Sequence, residues 1–247
     1  MHNPYETDKM VSDYLFFHHI PFDEGAAGLP LPEHAWDFAS RLVTELLDPT
    51  SSAKRALDIG CAVGRSSFEL SRSIPDVLGI DFSAAFINAA ETLRQGSRID
   101  FAVTEEGKRL RHFSAQLPDE IDTERIRFQQ GDAMQLPEDL SSFDVVLAAN
   151  LLCRLPEPRR FLDRLPSLVT SGGQLLLATP FSWLDEFTRC EHWIGGMPES
   201  APSSDILARH LSSYFTLEHT TNIPFLIREH SRKYQYGISL GTRWRRR

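Results

Sequence analysis

Short apolar runs alternating with amphipathic stretches set the pattern of the middle of the chain. Ala56-Leu57-Asp58-Ile59-Gly60 and Val77-Leu78-Gly79-Ile80-Asp81 have the length and composition of buried strands. The first is followed by a helical stretch from Arg65 to Ser73. After the second, Ser83 is placed to cap a helix through Leu93, with apolar or small residues at Phe86, Ile87, Ala89, Ala90 and Leu93. Strand, helix, strand, helix is the signature of parallel crossovers.

The rhythm breaks at Gly96. Ile99 to Val103 and Arg109 to Leu117 flank Glu105-Glu106-Gly107 and predict a hairpin, an insertion over about 97–125 that closes with the acidic stretch Asp119 to Glu124. Crossovers resume with Ile126-Arg127-Phe128, the loop Gly131-Asp132-Ala133 and the continuous apolar run Phe143 to Ala149, of the kind buried on both faces. A helix from Arg159 to Leu168, the pair Gly172-Gly173 and a buried strand from Gln174 to Ala178 follow. An aromatic-rich segment then runs from Phe181 to Gly196, and a helix is predicted at Ser204 to Leu211. Two extended runs, Thr216 to Arg228 and Lys233 to Leu240, predict an antiparallel hairpin at the sheet edge. The expected fold is α/β, a mostly parallel central sheet with helices on both faces. Residues 1–53 form a helical N-terminal extension to a core at 54–247.

Composition narrows the class. The 247 residues are 41% hydrophobic, and 34 acidic against 26 basic groups leave a formal charge of −8. That excludes disorder and argues against a duplex-DNA partner. No stretch has the roughly 18 consecutive apolar residues of a membrane span, and Met1 to Lys9 carries neither a basic leader nor an apolar signal core, so a soluble cytoplasmic protein is expected. Three cysteines without a CxxC pair indicate neither a disulfide framework nor structural zinc, and no cluster of ligands has metal-site spacing. The basic run Arg243-Trp244-Arg245-Arg246-Arg247 reads as the frayed end of an edge strand.

The sharpest chemical feature is Leu57-Asp58-Ile59-Gly60-Cys61-Ala62-Val63-Gly64, a strand entering a turn with glycines four apart. Glycine there lets the backbone approach a ligand and opens a helix N-terminus beneath it. The third glycine of the dinucleotide fingerprint is missing, since residue 65 is Arg, and so is the Lys-Ser/Thr of a P-loop. A turn without a ligand is the bland alternative. Asp81 ends the second strand, where a carboxylate can accept both hydroxyls of a ribose, and Asp132-Ala133 ends a third. Asn150 follows the strand to Ala149. Strand ends in a parallel sheet converge on one crevice.

Together these residues resemble the S-adenosylmethionine-dependent methyltransferases of the Rossmann-like class. The resemblance implies that Asp58, Gly60, Cys61 and Gly64 hold the amino-acid part of the cofactor and that Asp81 holds its ribose. Asp132 and Ala133 would then meet its adenine, and Asn150 would face the methyl group, with S-adenosylhomocysteine as product. Phe82 either flanks the adenine or packs in the core. Cys61 reads as a small buried residue, not a nucleophile.

The N-terminal segment Tyr5 to His19 reads as an aromatic-rich amphipathic helix ending in two histidines. With the glycine loop, the Thr104-Glu105-Glu106-Gly107 turn and Phe181 to Phe187, it resembles the methyltransferase of ovothiol biosynthesis. That resemblance implies N-methylation of 5-thiohistidine on the ring nitrogen nearer the side chain, giving ovothiol A, and a functional link to a thiohistidine-forming sulfoxide synthase. Tyr14, Phe17, His18 and His19 would close the pocket, with a histidine or Tyr14 hydrogen-bonding the imidazole; His18 is the candidate base, unless the thiohistidine arrives as an anion and needs none. Arg154 either pairs with the substrate carboxylate or forms a surface ion pair. Trp183 and Trp193 read as lid packing before stacking partners, and Glu229 and His230 as weaker substrate candidates in a turn. Another small histidine-like or amine acceptor, or a non-catalytic cofactor-binding subunit, remain the alternatives.

Overall fold

A computed structural model describes residues 4–247. Met1, His2 and Asn3, at the head of the stretch read as leader-free and of the extension, lie outside the described residues. After a single turn at Pro4–Glu6, helix α1 (Asp8–His19) starts where the Thr7 hydroxyl accepts the Met10 amide at 3.3 Å. Two further helices, α2 (Phe22–Ala26) and α3 (Phe38–Leu46), precede the sheet.

The crossover rhythm then builds what it predicts. Strand β1 (Arg55–Ile59) leads into α4 (Arg65–Ser71), and β2 (Asp76–Asp81) leads into α5 (Ala84–Arg94), whose Phe86 amide donates to the Ser83 hydroxyl at 3.1 Å. The insertion is a separate two-stranded sheet, β3 (Ile99–Glu106) and β4 (Arg109–Ala115). Then come β5 (Ile126–Gln130), β6 (Phe143–Ala149), α6 (Pro158–Leu168), β7 (Val169–Thr179), α7 (Ser203–Leu211), β8 (Phe215–His230) and β9 (Lys233–Arg246).

The seven-stranded sheet has the order β5-β2-β1-β6-β7-β9-β8; β5 through β7 are parallel and β9 and β8 antiparallel. Because strand side chains alternate, β6 feeds two cores. Val145 and Leu147 join α1, α3, α4, α5 and the insertion on one face, and Val146 joins α6 and α7 on the other. Both faces of β6 are dry, which is why its sequence is continuously apolar.

The C-terminal basic run departs from expectation. It is the last part of β9, an interior strand, with Gln174↔Arg245 and Leu175↔Trp244 in register against β7. Trp244 is buried and its indole N–H donates to the Thr242 hydroxyl at 2.9 Å. Arg245 pairs with Asp48 at 2.8 Å and Glu218 at 3.0 Å. Carboxylates distant in sequence neutralise the run, so period-two pairing wins over solvation. On this side of the sheet the edge strand is β8.

Candidate active site

The carboxyl ends of β1, β2, β5 and β6 form the floor of a crevice, and backbone hydrogen bonds tie its loops together. Gly60 and Cys61 amides donate to the Ile80 carbonyl at 2.7 and 3.1 Å, Gly131 to the Asp81 carbonyl at 2.9 Å, and Asn150 to the Ala178 carbonyl at 2.7 Å. Gly60 and Gly64 take φ of +78° and +86°, which L side chains rarely adopt, and a Cβ on Gly64 would lie 2.7 Å from the Phe128 ring. The loop is therefore glycine for shape and for closeness.

Asp81 is held in place before any ligand arrives. Its carboxylate accepts the Ala62 amide at 2.8 Å and the Ser83 amide at 2.9 Å. Burial raises its pKa, and those two amides pull it back. An ionised carboxylate has about four acceptor sites, so two backbone amides leave it able to take a pair of hydroxyls. Beside it Phe82 is 57% exposed, which removes the core-packing reading and leaves a bare aromatic face at the crevice.

Asp58 lies deeper. One oxygen accepts the hydroxyls of Ser66 and Ser67, each at 2.7 Å, and the other is buried without a partner. Burial pushes its pKa up to about 6 against those two hydrogen bonds. It braces the first turn of α4 beneath the glycine loop. Cys61 is buried and burial holds its thiol well above the ordinary range, so it is inert. Asp132 closes its own turn, accepting the Met134 amide at 2.8 Å, and stands half-buried with Ala133 at the end of β5.

Asn150 takes φ of +52°, and its side-chain oxygen accepts the Ser239 hydroxyl at 2.6 Å. Ser239 is fully buried on β9, eighty-nine residues away in sequence. Sequence reasoning missed it because an isolated serine in a strand gives no signal.

A cover of three segments stands over this floor. The first is the N-terminal segment: the Ser83 hydroxyl donates to the Tyr5 carbonyl at 3.0 Å, and the Glu6 carboxylate accepts the Ala84 and Ala85 amides at 2.9 and 3.2 Å. An acid at the start of α5 suits the helix dipole. Tyr5, another residue the sequence reading passed over, meets Tyr14 edge-on at 6.1 Å, and Tyr14 lies 4.6 Å from Phe86. Burial raises the Tyr5 phenol, while the Arg154 guanidinium and its hydrogen bond lower it. Tyr14 is raised strongly by burial.

The second and third segments are the insertion and the terminal hairpin. β9 pairs with β7 only up to Leu240, while its pairing with β8 continues to His230↔Lys233. The seven residues 233–239 thus overshoot the sheet by about 23 Å at ~3.3 Å each. Near the tip, Arg228 is buried, pairs with Glu105 at 3.1 Å, donates to the Thr104 carbonyl and lies over the Phe16 ring at 5.1 Å. One guanidinium staples all three parts of the cover. Phe17 packs between Phe38 and Phe225 at 6.0 and 6.4 Å.

Three of the candidate residues are held in other ways. Trp183 is buried among Trp193, Ile194 and the α7 side of the core, and its indole donates to Ser203 at 3.1 Å, which makes it packing. Glu229 is committed at the hairpin turn to Lys233 at 2.6 Å and Gln235 at 3.0 Å. His18 is a poor general base: burial, with His19 and Arg65 adding, pushes its pKa down to about 3. Arg154 remains a candidate. It donates to the Cys153 and Ser182 carbonyls, both at 3.1 Å, lies over Phe187 at 4.7 Å, and pairs with no carboxylate among the described residues.

Comparison with known proteins defines the class. The chain matches the family "Methyltransferase domain" over residues 32–224 and belongs to it. It is 25% identical over 130 residues to the ubiquinone biosynthesis O-methyltransferase of Coxiella burnetii, covering 53% of this chain and 45% of that one. It is 28% identical over 182 residues to the phthiotriol/phenolphthiotriol dimycocerosates methyltransferase of Mycobacterium leprae, covering 71% and 57%. The chain thus spans about half the length of the curated relatives it matches. Among solved structures, the N-methyltransferase NodS of Bradyrhizobium japonicum in complex with S-adenosylhomocysteine superposes with a TM-score of 0.53 at 17% identity, over 96% of this chain and 98% of that one. The [4+2]-cyclase SpnF superposes with a TM-score of 0.54 at 15% identity, over 97% of each. Likeness at that level concerns the fold, and the reaction must be argued from the site. Among the described residues no helix is long and apolar enough to cross a membrane.

Proposed function

We propose that this protein is an S-adenosylmethionine-dependent N-methyltransferase that methylates the side-chain-proximal imidazole nitrogen of 5-thiohistidine to give ovothiol A. Family membership and the crevice floor support the class. Asp81, with two acceptor sites to spare, suits the ribose, the exposed Phe82 ring and the Asp132-Ala133 turn suit the adenine, and the glycine loop suits the methionine end. When bound, the cofactor supplies an electrophilic methyl on a sulfonium.

The observation that carries the acceptor reading is Arg154: a half-buried guanidinium without an acidic partner among the described residues, against Tyr5 and four residues from Asn150. A bidentate carboxylate is the natural complement of such a group. The chain's own task is positioning, which can supply roughly 7–11 kcal/mol of a barrier. Arg154 would hold the carboxylate, Asn150, fixed by Ser239, would orient the ring, and Tyr5 and Tyr14 would exclude water. With His18 held neutral by burial, a thiohistidine arriving as its anion needs no dedicated base. A functional link to a thiohistidine-forming sulfoxide synthase, residence in the cytoplasm, and independence of nucleic acid and membrane complete the reading.

Purified protein given isotope-labelled S-adenosylmethionine and 5-thiohistidine is expected to yield one labelled product, with the methyl located on the ring nitrogen by NMR. Labelling on sulfur, or none by a folded, cofactor-bound protein, refutes the acceptor. Arg154→Ala is expected to raise KM for thiohistidine at least tenfold and KM for the cofactor less than twofold. Equal effects would make Arg154 a tether of the cover.

A further inference from the structure

Where the end of α2, the insertion and the terminal hairpin turn meet, there is a cavity of about 160 Å³ whose polar wall is Glu105, Arg111, Arg228, Ser231, Arg232 and Tyr234. None of Asp58, Gly60, Asp81, Asn150 or Arg154 lines it. Three arginines thus stand against one carboxylate, on a chain whose formal charge is −8. Like charges repel at close range, so gathering them costs free energy unless something offsets it. Arg228 has its offset: its side chain is only 5% exposed and pairs with Glu105 at 3.1 Å. That pair uses the one acid on the wall.

The other two arginines are within reach of a ligand, and one of them is already set in place. Arg111, half-buried on β4, lies over the Phe113 ring at 4.8 Å and donates one Nη to the Glu24 carbonyl at 3.2 Å. Phe113 meets Phe16 edge-on at 5.1 Å, and Phe16 carries Arg228 on its ring at 5.1 Å. A joined aromatic pair therefore holds two guanidiniums at one wall. Arg232 stands exposed in the turn between β8 and β9, its backbone amide fixed by His230 Nδ1 at 3.2 Å. Among the described residues neither Arg111 nor Arg232 pairs with a carboxylate. Tyr234 adds a donor: its phenol takes a hydrogen bond from Arg228, which leaves its own O–H to give.

We propose that this cavity binds a small divalent oxyanion of the phosphate class, gripped by the Arg111 and Arg232 guanidiniums and the Tyr234 hydroxyl. Planar guanidiniums match phosphate oxygens two at a time, and a dianion offsets the two positive charges that Glu105 leaves over. Bound there, the anion would tie β4 to the hairpin turn beside the Arg228 staple, and so fasten two parts of the cover to each other. The site stands apart from the methyl-transfer reading, since its binding is measured without cofactor and each can fail alone.

Inorganic phosphate is the probe, titrated calorimetrically into the full chain at pH 7.5 and constant ionic strength. One equivalent is expected to bind, chloride is expected not to displace it, and saturating S-adenosylhomocysteine is expected not to weaken it. Arg111→Gln is expected to weaken phosphate at least tenfold. Arg232→Glu, which reverses an exposed charge in a turn, is expected to do the same and is the decisive variant should Arg111→Gln fail to fold. Arg159→Glu makes the same change of net charge at an exposed position of α6, on the opposite face of the sheet, and is expected to stay within twofold of wild type. Methyl phosphate run alongside separates the sources: affinity equal to that of phosphate assigns the site to a phosphomonoester, weaker affinity to the free ion, and both support the oxyanion class. Absence of saturable phosphate binding overturns the proposal. So does displacement by chloride, competition with S-adenosylhomocysteine, or an equal loss in Arg159→Glu and Arg232→Glu. If S-adenosylhomocysteine does not bind at all, the methyl-transfer reading falls and the phosphate isotherms still decide this one.

Discussion

The floor of the crevice and the cover above it are built on different principles. On the floor, main-chain hydrogen bonds between adjacent strands do the positioning: Gly60 and Cys61 to Ile80, Gly131 to Asp81, Asn150 to Ala178. In the cover, side chains from distant segments do it: Arg228 to Glu105 across 123 residues, Glu6 to the start of α5 across 78. A main-chain device depends on local conformation and tolerates most sequences. A side-chain device depends on one partner and fails when that partner changes. The floor should therefore be hard to alter except at its glycines and its carboxylates, and the cover should be brittle.

The largest effect is expected on the floor. If Asp81 holds the ribose as proposed, Asp81→Ala removes two charge-assisted hydrogen bonds, each worth about 1.5–3 kcal/mol, so S-adenosylhomocysteine affinity measured by calorimetry is expected to fall about 100-fold or more. Unchanged affinity would remove Asp81 from the site and leave it only as a brace for Ala62. Next is the cover. Arg228→Met leaves Glu105 partly buried without its partner and unpins the hairpin tip, at a cost of about 3 kcal/mol in chemical denaturation. S-adenosylhomocysteine should also dissociate faster. A variant as stable as wild type would show that the three segments hold without the staple.

A smaller effect follows from α1. His18 and His19 are held neutral with pKa values of about 3, below the 6.5 of an unfolded histidine. The unfolded chain therefore binds more protons as pH falls, so this stability is present above pH 6.5 and is lost on acidification. Between pH 6.5 and 5 each histidine removes up to about 2 kcal/mol. Opposing it, Asp58 has its pKa raised to about 6 and destabilises the fold as pH rises through that value. The His18→Gln/His19→Gln double variant is expected to lose less stability than wild type between pH 7 and 5; an equal loss would show that neither ring is shielded. The smallest effect is at the hairpin turn, where Glu229→Gln is expected to leave kcat/KM within twofold of wild type. A larger loss would return Glu229 to the substrate site.

How far each part was legible follows the same division. The glycine turn, the acid ending β2 and the Ser83 cap are local devices, and they stand where the apolar pattern places them. The insertion was equally readable as a hairpin from its turn residues, but not its use as a wall against α1 and α4. Ser239 and Tyr5 gave no sign, because a serine in a strand and a tyrosine in a turn become functional only through what lies against them. Trp183, read first as packing, is packing because α7 closes over it and Ser203 takes its indole N–H.

By itself the sequence determined the alternation of strands and helices, the both-face burial of β6 and the convergence of Asp58, Asp81, Asp132 and Asn150 at strand ends. Period and turn chemistry act over a few residues, and parallel topology does the rest. Only the tertiary structure decided that the basic run is an interior strand rather than a loose end, that Arg228 joins three segments, and that two histidines and Arg65 share a cavity. Each of those outcomes turns on which charges and faces meet between segments distant in sequence, and burial, not local preference, sets the energy of such meetings.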